Sequence, residues 1–180
     1  MNNFIAGWTP LDTSVCDRLI DYHKNSKHKT PGRTLGPSKE RFKESTDAAI
    51  LDSELFTEYA DYLQECLKEY INLYHWVNEF EPWSIKEYAN IQHYAPGQAY
   101  HAWHSERGTA KLPASSRHLV FMTYLNDVTD QGETEWFYQK VKIKPERGLT
   151  VFWPTDWTFI HRGITSPSQE KYIATGWYSY

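Results

Sequence analysis

Residues 117–125 read Arg-His-Leu-Val-Phe-Met-Thr-Tyr-Leu, and this run decides the fold class. Its apolar, β-branched and aromatic side chains suit a pleated, largely buried strand. Downstream, residues 136–143, 149–153, 158–161 and 172–178 are further short runs of the same kind. Upstream, residues 85–94 make another, broken by Pro96-Gly97. Short strands this frequent, with turn residues between them, predict a sandwich or barrel. The first part of the chain reads differently. Thr13 or Ser14 is placed to cap a short helix running to about Lys24, with Val15, Leu19, Ile20 and Tyr22 partly on one face. Residues 27–46 are polar and punctuated by Pro31, Gly32, Gly36 and Pro37, which predicts a loop. Asp52 or Ser53 opens a longer helix ending near residues 75–78. Its Leu55, Tyr59, Tyr62, Leu63, Cys66, Tyr70 and Tyr74 recur at spacings of three and four. That tyrosine stripe is expected to pack on a sheet. The expectation is a mainly β protein with flanking helices (α+β): one domain over residues 1–180, with a helical support region at 1–80 and the β core at 81–180.

Composition narrows the function. The chain has 180 residues and a formal charge of −4, from 19 Lys and Arg against 23 Asp and Glu, so no nucleic-acid partner is expected. No apolar run approaches the roughly 20 residues of a membrane helix, and the first residues lack a secretory pattern. Cys16 and Cys66 cannot make a disulfide framework. A cytoplasmic protein away from membranes is the expectation. Aromatic residues make up 16% of a charged, polar chain. Tyr and Trp combine a flat apolar body with a polar tip, which suits the wall of a wet cavity.

His104-Ser105-Glu106 carries the chemistry. In an extended segment residues i and i+2 share a face, so an imidazole and a carboxylate can bind one metal ion. His161, just after the apolar residues 157–160, is the candidate third ligand. Two histidines and one carboxylate leave three positions open, the facial triad suited to non-haem Fe(II). By spacing alone such a trio is common among eight histidines and 23 acidic residues. His101 is the poorer ligand, because on a strand it faces away from His104. Lys171 lies ten residues past His161, across a turn-rich stretch that can return it to the same pocket. A buried lysine needs an anion, and a dicarboxylate cosubstrate would supply one.

Several stretches together carry a family resemblance. Tyr94-Ala-Pro-Gly-Gln-Ala-Tyr-His-Ala-Trp-His104-Ser-Glu106, Thr123-Tyr124-Leu125-Asn126, Gln131-Gly132-Glu133-Thr134, Lys144-Pro145-Glu146-Arg147-Gly148-Leu149-Thr150-Val151-Phe152, and His161 with Lys171 and Ala174-Thr175-Gly176-Trp177-Tyr178 occur in this order. In that order they resemble the prolyl 4-hydroxylase type of 2-oxoglutarate/Fe(II)-dependent dioxygenases. The resemblance covers residue 85 to the C-terminus. It implies a double-stranded β-helix, or jelly roll, with N-terminal support helices. It implies that His104, Glu106 and His161 hold Fe(II). Lys171 and Tyr124 would grip the distal carboxylate of 2-oxoglutarate, with Tyr94 close to the cosubstrate and Thr175 and Trp177 lining the pocket. The implied reaction consumes O2, releases succinate and CO2, and hydroxylates a C–H bond, with ascorbate as a reductant. The implied substrate is proline in a peptide or protein. A free amino acid or small metabolite stays open as substrate, as do a non-catalytic jelly-roll binding module and a cupin-like oxygenase or isomerase. Two departures stand out: Glu106 occupies the usual aspartate position, and Gln131 replaces the first glycine of its turn. Trp103, Trp153 and Trp177 are candidate walls that exclude water. Residues 27–46 and 108–116 are candidate loops over an extended peptide, and surface aromatics would suit a proline-rich chain.

Overall fold

The computed structural model describes residues 2–32 and 42–180. Its elements run β1 (Ala6–Trp8), α1 (Val15–Asn25), β2 (Thr30–Pro31), β3 (Thr46–Ala49), α2 (Ser53–Leu73), β4 (Ser84–Ile85), β5 (Asn90–Tyr94), β6 (Arg117–Tyr124), β7 (Thr134–Trp136), β8 (Val141–Ile143), β9 (Thr150–Pro154), β10 (His161–Gly163) and β11 (Lys171–Ser179). The larger sheet has the order β1-β9-β6-β11-β5-β3-β2, with β4 also paired to β11, and the smaller has the order β10-β7-β8. Every pairing is antiparallel. Helices cover the outer face of the larger sheet, and the smaller sheet lies over its inner face. This is the jelly roll with support helices that the family resemblance implies, where the strand pattern alone predicts a sandwich or barrel.

The period-two alternation of a strand divides the core in two. On β6, Leu119 and Phe121 face the helices, while Val120, Met122 and Tyr124 face the smaller sheet. On β11, Tyr172, Ala174 and Tyr178 pack under the helices and Ile173 points inward. The tyrosine stripe of α2 packs as expected, and three of its hydroxyls find partners. Tyr59 shares a hydrogen bond with Thr123 Oγ1 at 2.8 Å, Tyr62 donates to the Gly148 carbonyl at 2.5 Å, and Tyr70 donates to the Phe4 carbonyl at 2.9 Å. The Asp52 carboxylate caps α2 by accepting the Glu54 and Leu55 N–H groups, both at 3.0 Å. Among the described residues no helix is long and apolar enough to cross a membrane.

Several expected boundaries shift. Ser14 has helical dihedrals and makes no side-chain cap of α1; Asp12 instead accepts the Ser14 N–H at 2.8 Å. The first eighty residues are not purely helical, because β1 joins β9 and β3 joins β5 in the larger sheet. Of the loop expected at 27–46, β2 pairs with β3, and 33–41 lie outside the described residues. Residues 85–94 form two strands, since the chain leaves the sheet between β4 and β5. Residues 136–143 form a hairpin turn and not one strand, with Lys140 at φ 54°. The run at 158–161 is a 3-10 turn, Trp157–Phe159, and β10 begins only at His161. Gln131 adopts φ 63°, a left-handed conformation that glycine enters freely and other residues enter at a cost of about 1–2 kcal/mol.

Candidate active site

A cavity of about 500 Å³ opens between the two sheets. The inward-facing alternate residues of β11, namely Lys171, Ile173, Thr175 and Trp177, line one side. Their registered neighbours Tyr94, Gln92 and Asn90 on β5 continue that wall. Residues 105, 108, 109 and 114 and Thr30, Pro31 and Lys43 border it, so both expected loop regions contribute to its rim.

His104, Glu106 and His161 meet in this cavity. An isolated antiparallel bridge joins the two histidines: each backbone N–H donates to the other's carbonyl, at 3.0 Å. That bridge brings together residues far apart in the chain and puts their rings 4.2 Å apart. Glu106 Oε1 lies 3.5 Å from His104 Nε2 and 3.3 Å from His161 Nε2. Two donors at right angles, each ~2.1 Å from one ion, lie about 3 Å apart, so the trio fits a shared metal. Each Nδ1 faces a carbonyl two residues back, Ala102 for His104 and Phe159 for His161, both at 3.0 Å. A carbonyl only accepts, so each Nδ1 carries the hydrogen and each Nε2 lone pair is free for a metal. Burial opposes the Glu106 carboxylate, but the His104 and His161 rings, whose Nε2 atoms would donate to Oε1 when protonated, outweigh it and hold the group well below the usual carboxylate range. Burial, aided by the nearby His161, pushes His104 down. The carboxylate and the unprotonated imidazole are the metal-binding forms.

The second Glu106 oxygen is also held. Oε2 accepts the Trp177 indole N–H at 3.1 Å and lies 3.6 Å from Arg117 Nη1. The Arg117 guanidinium stacks 3.4 Å over the Trp177 ring, grips both Glu87 oxygens at 2.8 and 2.7 Å, and donates to the Glu106 carbonyl at 3.1 Å. One oxygen is thus turned to the histidines and the other is fixed behind it. Tyr100 stacks face to face on His104 at 3.6 Å and 7°. Sequence reasoning gave no role to Arg117, Glu87 or Tyr100. A charged residue heading an apolar strand was the available signal for Arg117.

Lys171 begins β11 and is 4% exposed. Its Nζ donates to the Gly132 carbonyl at 2.8 Å. An ammonium has three donors, and among the described residues none of them reaches a carboxylate. Burial lowers this group to about 8, with Glu133 partly opposing. A buried, under-partnered cation facing a cavity fits an anionic ligand. Tyr94 lines the cavity and donates to Gln92 Oε1 at 2.6 Å. Thr175 lines it and donates to the Phe121 carbonyl at 2.9 Å. Tyr124 does not reach the lining. Its buried hydroxyl donates to Thr134 Oγ1 at 2.7 Å, and it is the Thr134 side chain that faces the cavity. Trp153 and Trp177 line the cavity, whereas Trp103 stands outside it, against Phe137 and Arg162. His101 turns away toward Glu44, although residue 101 lies in no strand and a bend at 102 separates it from His104.

The family model of the 2OG-Fe(II) oxygenase superfamily matches residues 89–179. Among solved structures the chain is similar to the viral collagen prolyl hydroxylase vCPH of Paramecium Bursaria Chlorella virus-1, solved as a 2OG complex. Identity is 21%, coverage is 98% of this chain and 96% of that one, and the TM-score is 0.70. A Pseudomonas putida prolyl-4-hydroxylase is 17% identical over 98% of this chain and 92% of its own, with a TM-score of 0.73. A prolyl hydroxylase from Trichoplax adhaerens, solved with a hypoxia inducible factor oxygen degradation domain peptide fragment, is 19% identical over 99% and 84%, with a TM-score of 0.75. At these identities the likeness is one of fold. No curated protein matches the chain.

Proposed function

Because the chain belongs to the 2OG-Fe(II) oxygenase superfamily, whose members use Fe(II), 2-oxoglutarate and O2, we propose that it is a prolyl hydroxylase acting on a peptide or protein. The overall change is substrate C–H, 2-oxoglutarate and O2 to substrate C–OH, succinate and CO2. Bound iron supplies the activation of O2 that drives the decarboxylation and the C–H oxidation. His104 and His161 hold the metal through Nε2 and Glu106 through Oε1. Lys171 takes the distal carboxylate of 2-oxoglutarate, with the Thr134 hydroxyl beside it and Tyr124 fixing that hydroxyl from behind. Tyr94, Thr175 and Trp177 shape the pocket, and Ile173, Met122 and Trp153 keep water from it. Fixing both ends of the cosubstrate sets its register against the metal. Ascorbate serves as the reductant that keeps the iron ferrous.

One observation carries this reading. The same cavity holds a two-histidine, one-carboxylate trio and a buried ammonium that reaches no carboxylate among the described residues. The peptide substrate is supported by the Trichoplax relative, which was solved with a peptide fragment. The test is turnover of proline-containing peptides with Fe(II), ascorbate and 2-oxoglutarate, read as succinate release and as the gain of one oxygen in peptide mass. His104→Ala and His161→Ala should each abolish both signals. Full turnover in either variant contradicts the ligand assignment, and succinate release coupled only to free amino acids contradicts the peptide assignment.

A further inference from the structure

Four aromatic rings beside the cavity have no part in the site just described. Trp103, Phe137, Tyr138 and Trp157 are 36%, 54%, 56% and 64% exposed. They form a row with centroid steps of 5.2, 5.2 and 6.1 Å, and successive rings stand at 84°, 85° and 87° to one another. The row is therefore a series of notches and not a flat platform. Its mounting is rigid. Phe137 and Tyr138 sit in the β7–β8 turn, and Trp157 opens the 3-10 turn before β10. The Phe137 N–H donates to the Ile160 carbonyl and Gln139 Nε2 to the Thr158 carbonyl, both at 2.9 Å, which ties the two turns together. The row is also continuous with the cavity. Trp103 precedes His104, and Arg162, which lines the cavity, lays its guanidinium 4.4 Å over the Trp103 ring while Glu135 anchors it at 3.0 Å. The indole N–H groups of Trp103 and Trp157 and the Tyr138 hydroxyl have no hydrogen-bond partner among the described residues.

We propose that this row is a docking shelf for a proline-rich polypeptide in the polyproline II conformation, leading away from the residue held at the metal. The proposal rests on the peptide-hydroxylase reading and adds a substrate surface to it. Polyproline II has no internal hydrogen bonds, so its carbonyls need outside donors, and its rings form ridges. Perpendicular aromatic rings accept such ridges between them, and the free N–H and O–H groups meet the carbonyls. Three steps of this size admit at most roughly five residues at ~3.1 Å each. A flat sugar chain would call for coplanar rings, which this row does not offer.

The test compares a blocked tripeptide with a central proline against a longer proline-rich peptide that carries the same tripeptide at one end. Both are measured on the wild type and on Tyr138→Ala/Trp157→Ala, the exposed far end of the row. The longer peptide's KM should rise at least tenfold in the variant, with the tripeptide's kinetics unchanged. Calorimetric binding of the longer peptide without O2 should weaken in parallel. Equal binding of the longer peptide to both proteins overturns the shelf, and so does an equal loss of both peptides. If the wild type hydroxylates neither peptide yet binds the longer one through Tyr138 and Trp157, the hydroxylase reading fails and the shelf stands. A wild-type dimer that the variant dissociates, or binding of an oligosaccharide in place of the peptide, gives the row another occupant and overturns the proposal.

Discussion

Lys171 is the residue on which the cosubstrate assignment turns. Its ammonium ordinarily titrates near 10.5, and burial lowers it to about 8 in the folded protein. Below about 8 it is charged and able to hold a carboxylate; as pH rises through 8 that ability is lost. The apparent affinity for 2-oxoglutarate should therefore fall above pH 8, and Lys171→Arg, which stays charged, should remove that fall. For the metal-free protein the sign is opposite. The cost of burying the charge is fully present below 8 and is relieved between 8 and 10.5, because there the unfolded chain binds more protons. Arg117 acts through Glu106, so its loss should show in the metal. Arg117→Met should weaken Mn(II) binding by about 10–100-fold, measured by calorimetry on the folded variant, and unchanged metal affinity would leave Arg117 a purely structural role. Such roles are invisible in sequence because they depend on contacts. The His-x-Glu spacing of residues 104 and 106 was legible, whereas the stacking of Tyr100 on His104 and the Arg117–Trp177–Glu106 contact exist only once the strands have paired.

At the scale of elements, capping chemistry was readable for α2 and not for α1. Asp52 accepts two N–H groups at the α2 start, so Asp52→Ala should cost about 1 kcal/mol in urea unfolding, within the usual range for caps; no loss would show that the helix end is satisfied by water. Ser14 carried the same sequence signal, but its helical dihedrals leave Asp12 to take the role. Residues 85–94 and 136–143 kept strand-like composition across real breaks. In the first, Glu87 leaves the sheet to pair with Arg117; in the second, Lys140 turns the chain at positive φ. Alternation reports which residues are buried, not where a ladder of hydrogen bonds stops.

For the whole molecule, the number and character of the strands followed from local pattern, while their partners did not. Nothing local says that β1 and β3, from the otherwise helical part of the chain, extend the larger sheet, or that β7, β8 and β10 form a sheet of their own. Yet that separation builds the site: His161 on the smaller sheet bridges to His104, and Lys171 on the larger sheet faces the same cavity. A metal at His104, Glu106 and His161 and a dicarboxylate reaching Lys171 would join the two sheets through their ligands. The most direct test of this arrangement is calorimetric binding of 2-oxoglutarate without O2 to Fe(II)-loaded wild type, His161→Ala and Lys171→Ala. The account predicts that 2-oxoglutarate binds the wild type only when metal is present, that His161→Ala loses both ligands, and that Lys171→Ala keeps the metal while its 2-oxoglutarate affinity falls at least tenfold. Binding of 2-oxoglutarate by metal-free wild type, or by Fe(II)-loaded Lys171→Ala, as tight as by the Fe(II)-loaded wild type would contradict it.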